Sequence, residues 1–369
     1  MLISEKSQHY IDLEERYGAH NYHPLPVVLA RGRGLYLWDV DGKRYFDFLS
    51  AYSAVNQGHC HPKIVEALTR QAETLCLTSR AFYNDCLGPY EAFMHSYFGY
   101  DKMLPMNSGA EAVETGLKLA RKWGYLNKGI PENEAIIVAC EGNFHGRTIT
   151  IVSMSTDGEA RAEYGPYTPG IEVIPYNDLE ALQQVFEEKG ERIAGFLVEP
   201  IQGEAGVVVP DEGYLKACKQ LCEAHDILFI ADEVQTGIAR TGRLLCCDHE
   251  GVRPDILILG KALSGGVLPV SAVLADDQVM LTVKPGQHGS TFGGFPIACK
   301  VAVAALEVVK EERLAERAAT LGELFPPEMK GVSSPVVEQG RGRVFFKSPR
   351  PRDRTRHPIP AFFLKKKNY

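Results

Sequence analysis

The stretch ILFIADEVQTGIARTGRLLCCDHEGVRPDILILGK, residues 227–261, contains the two apolar runs that decide the fold. ILFIAD (227–232) and DILILGK (255–261) are apolar on both faces, which is typical of strands in a parallel sheet covered by helices. Each run ends in a polar residue, Asp232 or Lys261. Because α/β proteins bind ligands at the carboxyl ends of their strands, these two residues mark a candidate ligand site, although alone they fit a simple ion pair equally well.

The same pattern continues on both sides of this stretch. Further short apolar runs predict buried strands: AIIVAC (135–140), TITIVSM (148–154), IAGFLVEP (193–200) and VSAVLA (270–275). Segments 61–77 and 109–126 have apolar residues at helical spacing. Segment 31–50 alternates around a turn at Asp41-Gly42 and predicts a β-meander. Strands alternating with helices indicate an α/β fold with a mostly parallel sheet between helices.

Three regions are predicted along the 369 residues. Residues 1–60 would form an N-terminal segment and the β-meander of a small domain, and 61–312 a large domain. Residues 313–369 would be an incomplete C-terminal part of the small α+β domain. Because residues 326–369 contain seven prolines and no sustained period, we expect little regular structure after 325.

Charge and composition exclude several classes of function. The net charge is −7; residues 326–369 carry +8, so the preceding 325 residues carry −15, which argues against nucleic-acid binding. No run of eighteen apolar residues predicts a membrane span. The acidic N-terminus predicts a cytoplasmic protein, or one of the mitochondrial matrix if the natural chain starts further upstream. The nine scattered cysteines predict free thiols and no metal site.

Two segments rich in small and hydroxyl residues suit a phosphate group. Ser108-Gly109-Ala110 opens a predicted helix, where main-chain N–H groups and the helix dipole favour an anion. Ser290-Thr291 adds two hydroxyls within a glycine-rich turn. Phe144 offers a flat face for ring stacking, and Arg147 offers a planar fork for a carboxylate.

A phosphate cradle, an aromatic face, a carboxylate and a lysine together describe a pyridoxal 5′-phosphate (PLP) site. Lys261 would form the Schiff base. Asp232 would keep the pyridinium nitrogen protonated, so that the ring can act as an electron sink.

The strings LFIADEVQTGIARTG (228–242) and DILILGKALSGG (255–266) resemble the signature of the class III aminotransferases of PLP fold type I. The resemblance implies a homodimer with shared active sites and gives roles to individual residues. These are Asp232 at the pyridinium nitrogen, Lys261 as the Schiff-base lysine, Ser108, Gly109, Ala110, Ser290 and Thr291 at the phosphate (Thr291 from the partner subunit), Phe144 stacked on the ring, and Gln235 near the phenolic oxygen.

Segments 17–29, 47–62, 198–210 and 284–294 are similar to the ornithine aminotransferase branch of that family. This similarity implies transfer of the δ-amino group of L-ornithine to 2-oxoglutarate, giving glutamate-5-semialdehyde, which cyclises to pyrroline-5-carboxylate, and glutamate. The implied substrate residues are Tyr22 and Arg147 at the α-amino and α-carboxylate end, Tyr52 as a wall of the pocket, and Glu204 as a switch carboxylate that masks a second arginine. Without the resemblance, Tyr22 and Tyr52 would be interpreted as ordinary half-buried tyrosines.

The sequence departs from the family at two places. Phe295 stands where family members carry Asn after the Gly-Gly pair, and the segment after 325 departs from the family's small domain. We find no position there for the second arginine. Two alternatives stay open: an ω-aminotransferase for acetylornithine or 4-aminobutyrate, and a catalytically impaired, truncated subunit. A nicotinamide-dependent dehydrogenase is excluded, because no G-x-G-x-x-G follows the first strand of the α/β region.

Overall fold

A computed structural model describes residues 3–330, 340–341 and 346–347. The strands are β1 (Leu29–Arg33), β2 (Tyr36–Asp39), β3 (Arg44–Phe46), β4 (Lys102–Met106), β5 (Ile136–Cys140), β6 (Ile171–Ile174), β7 (Ile193–Val198), β8 (Leu228–Asp232), β9 (Ile256–Leu259), β10 (Ser271–Ala275), β11 (Gly340–Arg341) and β12 (Phe346–Lys347). The helices are α1 (Glu5–Tyr17), α2 (Ser50–Ser53), α3 (Pro62–Thr74), α4 (Leu87–Phe98), α5 (Gly109–Trp123), α6 (Ile149–Met154), α7 (Gly158–Arg161), α8 (Leu179–Lys189), α9 (Tyr214–Ala224), α10 (Asp277–Met280), α11 (Pro296–Glu311) and α12 (Leu314–Lys330). Short helical turns cover Gly124–Lys128, Gly190–Arg192, Cys247–His249 and Lys261–Ser264.

A seven-stranded sheet in the order β4-β10-β9-β8-β7-β5-β6 forms the centre of the molecule. The five strands from β9 to β6 run parallel, and β10 is antiparallel to both β9 and β4. This arrangement confirms the predicted α/β fold with a mostly parallel sheet. Because β8 and β9 are adjacent and parallel, the residues that follow them, Asp232 and Lys261, come to the same edge.

Helices cover both faces of this sheet. Alternate strand residues such as Ile230, Ile258 and Val273 pack against α5 on one face. The intervening residues pack against α8 and α9 near β7 and against α4 and α11 near β10. Gly116 lets α5 approach closely, since a Cβ there would lie 3.0 Å from Ile258 Cδ1. The burial of both sheet faces explains why the central strands are apolar throughout.

One predicted strand is wrong. Residues 149–154 form helix α6, in which Ser153 Oγ donates to the carbonyl of Ile149 over 2.7 Å, as in a helical turn. Its last four residues are buried. A short apolar run has the same composition in a buried helix as in a buried strand. The apolar run alone therefore does not decide between the two. The sequence also missed the edge strands β4 and β6; β4 contains Pro105, which an edge position tolerates.

The predicted β-meander is confirmed as a separate three-stranded antiparallel sheet, β1-β2-β3. The turn between β2 and β3 contains Gly42 with φ +83°, a conformation that favours glycine. Tyr36 pairs with Phe46 across the strands.

Phe295 precedes α11 and makes no capping hydrogen bond with its side chain. Its ring instead packs edge-to-face on Phe292 at 5.6 Å and against the core formed by α4 and α11. Phe295 is therefore part of the packing between this loop and the core.

Helix α12 extends to Lys330, so the prediction of little regular structure after 325 is wrong for 326–330. The short pair β11–β12 also lies within the predicted irregular segment. The remaining residues of 331–369 lie outside the described residues, and the domain boundaries stay predictions.

Across the described part of the chain, no helix is long and apolar enough to cross a membrane. The nine cysteines form no disulfide, and seven of them are buried. No cluster of three or more metal-ligating side chains occurs among the described residues.

Candidate active site

A cavity of about 200 Å³ opens at the carboxyl end of the parallel strands. It is lined by Gly109, Ala110, Phe144, His145, Gly146, Glu199, Ile201, Asp232, Val234, Gln235, Thr236 and Lys261. Of the residues predicted for the cofactor, the structure brings together six in this cavity: Gly109, Ala110, Phe144, Asp232, Gln235 and Lys261.

Lys261 lies in a strained turn directly after β9. Its own φ is +43°, an unusual value for a residue other than glycine, and Gly265 and Gly266 also have positive φ. The side-chain amide of Gln57 stabilises the turn by donating to the carbonyl of Ala262 over 2.9 Å. Burial lowers the pKa of Lys261, and the charges of nearby carboxylates oppose this effect. A larger fraction of Lys261 is therefore in the neutral amine form than for a surface lysine.

Asp232 ends β8 and is only 5% exposed. Its Oδ2 lies 2.6 Å from Nδ1 of His145, and its Oδ1 accepts from the N–H of Val234 over 3.0 Å. Burial disfavours the charged form of His145, but the hydrogen bond and charge of Asp232 outweigh burial and raise its pKa. The pair fixes the Asp232 carboxyl in one orientation within the cavity wall.

Glu199 is a buried acid that the sequence analysis did not select. It follows β7 and accepts from the N–H of Phe144 over 2.9 Å. Burial raises its pKa to about 7, and the charge of Asp232 adds to this rise while His145 opposes it. The rule that found Asp232 and Lys261, a polar residue at the end of a buried strand, would also have found Glu199.

The start of α5 forms one end of the cavity. Ser108 caps the helix: its Oγ accepts from the N–H of Glu111, and the Glu111 carboxylate accepts from the N–H of Ser108. Gly109 packs so closely on Val234 that a Cβ would lie 2.9 Å from Val234 Cγ1. Gly109 and Ala110 therefore bring the positive end of the helix dipole to the cavity, as a phosphate requires.

Ser290 and Thr291 lie elsewhere. They line a second cavity of about 580 Å³ together with Gly289 and residues 77–80. Within one chain they are not part of the cavity that contains Lys261. Ser290 Oγ accepts from Asn107 Nδ2 over 2.9 Å, which places this loop beside the start of α5.

Tyr52 is presented by a left-handed turn. All four residues of α2 have positive φ, from +46° to +71°. Burial raises the pKa of Tyr52, and the charges of Glu204 and Tyr22 add to the rise, so these three side chains lie near one another. Tyr22 is 77% exposed, and Glu204 Oε1 accepts from Gln235 Nε2 over 3.2 Å. The three predicted substrate residues therefore cluster beside a residue that lines the cavity.

Arg147 is exposed next to the stacking candidate Phe144. Its guanidinium carbon lies 5.4 Å from the Phe144 ring centroid. The fork is thus placed beside a residue of the cavity wall, where a substrate carboxylate could reach it.

The residues present fit PLP on three observations. A Cβ at position 109 would meet Val234, so the main chain itself is packed at the phosphate end. Asp232 is buried and oriented by His145, as a partner of a ring nitrogen needs to be. Lys261 is buried with a lowered pKa, as a covalent attachment site requires.

The aminotransferase class-III family profile matches residues 17–348. The chain belongs to this family. Its members are PLP-dependent transaminases, and this chain is therefore a PLP-dependent transaminase.

Comparison with individual relatives shows which members of the family this chain resembles. The chain is 59% identical to the mitochondrial ornithine aminotransferase of Rattus norvegicus over 91% of this chain and 76% of the relative. A solved structure of the ornithine aminotransferase from Toxoplasma gondii superposes with a TM-score of 0.90 at 50% identity, covering 92% of this chain and 80% of that one. A structure named acetylornithine aminotransferase, from Elizabethkingia anophelis, gives a TM-score of 0.84 at 59% identity, covering 92% and 82%.

Proposed function

We propose that this transaminase moves the δ-amino group of L-ornithine to 2-oxoglutarate. The observation that carries the proposal is the grouping of Tyr22, Tyr52 and Glu204 beside the cavity of Lys261. Ornithine has a carboxylate and an α-ammonium at one end and an amine at the other. Arg147 suits the carboxylate and the Tyr22 hydroxyl suits the ammonium, which leaves the distal amine for the cavity.

Four residues of the cavity have a task in this reaction. PLP, when bound, would supply an electron sink for the carbon that carries the transferred amine. Gly109 and Ala110 would hold its phosphate, and Asp232 would keep a proton at its ring nitrogen. Lys261 Nζ would form the covalent attachment and, once displaced from it, would move a proton at the reacting carbon, a task favoured by its lowered pKa.

A homodimer completes the proposal. Thr291 lies outside the cavity of its own chain, which supports a contact with the cofactor phosphate of a second copy. We propose a location in the cytoplasm or the mitochondrial matrix; the relative from Rattus norvegicus is named as mitochondrial. Partners other than small substrates and a second subunit, such as nucleic acid or membrane, are not expected.

The test is a visible-absorption titration with PLP followed by L-ornithine. We expect a band of lysine-bound cofactor that ornithine bleaches and 2-oxoglutarate restores. Lys261→Ala is the control, because it cannot form the covalent bond. A wild-type spectrum identical to that of Lys261→Ala would refute the proposal.

Acetylornithine is the second candidate, favoured by the similarity to the Elizabethkingia anophelis structure. Its α-nitrogen is acetylated and uncharged, so its recognition does not need a hydrogen-bond acceptor for an ammonium. Tyr22→Phe should therefore weaken ornithine use about tenfold while leaving acetylornithine use nearly unchanged. A wild-type preference for acetylornithine in the same assay would favour the second candidate.

A further inference from the structure

The loop between α10 and α11 is fastened to α5 by a histidine. His288 Nδ1 lies 2.8 Å from Lys118 Nζ, and His288 Nε2 lies 3.0 Å from Thr115 Oγ1. One turn further along α5, Lys122 donates to Gln287 of the same loop. The cavity that contains Lys261 is not lined by these residues.

The hydrogen bonds around His288 have one consistent direction. The Lys118 ammonium can only donate, so His288 Nδ1 accepts. The neutral ring then carries its hydrogen on Nε2 and donates to Thr115 Oγ1. The Thr115 hydroxyl in turn donates to the main-chain carbonyl of Glu111 over 2.7 Å. The hydrogen bond from Lys118 to His288 Nδ1 therefore forms only while the imidazole is neutral.

The fastened loop carries two residues predicted for the cofactor phosphate. Gly289, Ser290 and Thr291 directly follow His288 and line the second cavity. Ser290 Oγ also accepts from the N–H of Gly293 over 3.1 Å, which closes the turn. The helix whose start binds phosphate in one chain is therefore the helix that holds the loop for the other chain.

We propose that His288, in its neutral form, is the positioning residue that holds the 284–291 loop on α5 and so presents Thr291 to the cofactor phosphate of a second copy. This inference rests on the proposed function, since it requires the PLP site and the dimer.

Protonation should release the loop. A hydrogen on Nδ1 would replace the acceptor by a donor that faces the Lys118 ammonium. In the described part of the chain, no carboxylate is paired with His288: those of Glu111 and Glu114 on α5 have other hydrogen-bond partners, and the other charged groups beside the loop, Lys122 and Lys284, are cations. Burial and the charge of Lys118 lower the pKa of His288, which keeps the ring neutral at physiological pH.

The first experiment measures the PLP dissociation constant of the dimer at about pH 7.5 and about pH 5.5. His288→Phe should bind PLP about tenfold more weakly than wild type at the higher pH, since it loses a charge-assisted hydrogen bond. Wild type should weaken further on acidification. Lys118→Glu should lose that additional weakening, because a carboxylate stabilises the imidazolium. Lys216→Glu, an exposed charge reversal on α9, is the matched control and should behave as wild type.

The second measurement is hydrogen exchange of residues 284–293 in the cofactor-free protein. Faster exchange in His288→Phe, confined to this loop, supports the inference. Wild-type exchange and wild-type PLP affinity in His288→Phe would overturn it, as would an unchanged pH response in Lys118→Glu. A wild-type chain that binds no PLP would instead refute the proposed function, while loop exchange would still decide whether His288 anchors the loop.

Discussion

At the scale of single residues, three ionisable side chains meet beside the cofactor cavity. Glu199 and Asp232 end neighbouring strands, and His145 bonds Asp232 while its Nε2 is buried without a hydrogen-bond partner. Burial is the main cause of the raised pKa of Glu199, and the charge of Asp232 adds to the rise. The charge of this group therefore depends on pH near neutrality.

Glu199→Gln tests that dependence through stability. The folded protein keeps a proton on Glu199 up to about pH 7, whereas an ordinary glutamate loses it near 4.5. The resulting stabilisation is complete below 4.5 and is lost as the pH rises through 7. We expect the free energy of unfolding of Glu199→Gln, relative to that of wild type, to be about 3 kcal/mol larger at about pH 8 than at about pH 4.5. Urea unfolding at both pH values measures this, with Glu212→Gln, an exposed position, as control. A difference in unfolding free energy that does not change with pH would contradict the raised pKa of Glu199.

Arg147→Lys tests substrate recognition. A lysine keeps the charge but not the planar fork, so the ornithine concentration that half-bleaches the PLP band should rise about tenfold or more. The PLP affinity itself should not change. Arg192→Lys is the control, since that exposed arginine pairs with Glu134 on the surface. Unchanged ornithine binding in Arg147→Lys would remove this residue from the site.

The predicted catalytic residues follow from the strand pattern more directly than the predicted substrate residues do, for a physical reason. Asp232 and Lys261 follow buried strands, and strand ends converge whatever the loops do. Tyr22 and Tyr52 reach the site through irregular segments whose path no local pattern predicts; only the family resemblance pointed to them. His145 was missed because its partner is 87 positions away in sequence.

At the scale of elements, the turn after β9 depends on small residues. Gly266 has φ +80°, and a Cβ there would lie 2.2 Å from Val55 Cγ1. Val55 belongs to the segment that begins with the left-handed turn of α2. The turn of Lys261 and the turn of Tyr52 therefore pack directly on each other, so a change in one turn should be felt in the other.

Gly266→Ala should destabilise the protein by about 3 kcal/mol and lower its PLP affinity. The control is Gly286→Ala, where φ is also positive, at +85°, but no atom lies within 4 Å of the added Cβ. Thermal unfolding of the two variants separates the clash of the new Cβ with Val55 from the strain of a positive φ. Equal losses of stability in both variants would show that Val55 moves aside and that the clash does not contribute.

Element prediction failed where burial overrides local preference. The run 148–154 is rich in β-branched residues, yet it packs as the short helix α6. Strand β4 contains Pro105, which a strand tolerates at the edge of a sheet, and that edge position is visible only in the complete sheet. Both errors concern tertiary context, which a single segment does not contain.

At the scale of the whole molecule, the second cavity is bordered by apolar surface. Phe82 and Tyr83 are largely exposed and follow residues 77–80, which line that cavity with Thr291. Exposed neighbouring aromatics of this kind mark an interaction surface. They support a second copy as the occupant of this side of the chain.

Tyr83→Ser should therefore raise the dissociation constant of the dimer about tenfold. Tyr83 would be buried in the interface, and the loss of one aromatic side chain buried there weakens binding by at least that factor. Sedimentation equilibrium gives the dissociation constant. Leu126→Ser, an exposed apolar position on the turn after α5, should leave it unchanged. Equal dimer strength in both variants would place the interface elsewhere.

The antiparallel strand β10 also sets the order of events during synthesis. Strand β4, which leads into the turn of Ser108 and Gly109, pairs with β10 at one edge of the sheet, and about 170 residues separate the two strands in the chain. At roughly 5–20 residues per second, a ribosome needs on the order of ten to thirty seconds to make that interval. During this time β10 is not available to pair with β4, and the Lys261 turn has not yet been made for most of it. The cavity that contains Lys261 can therefore be completed only late in translation.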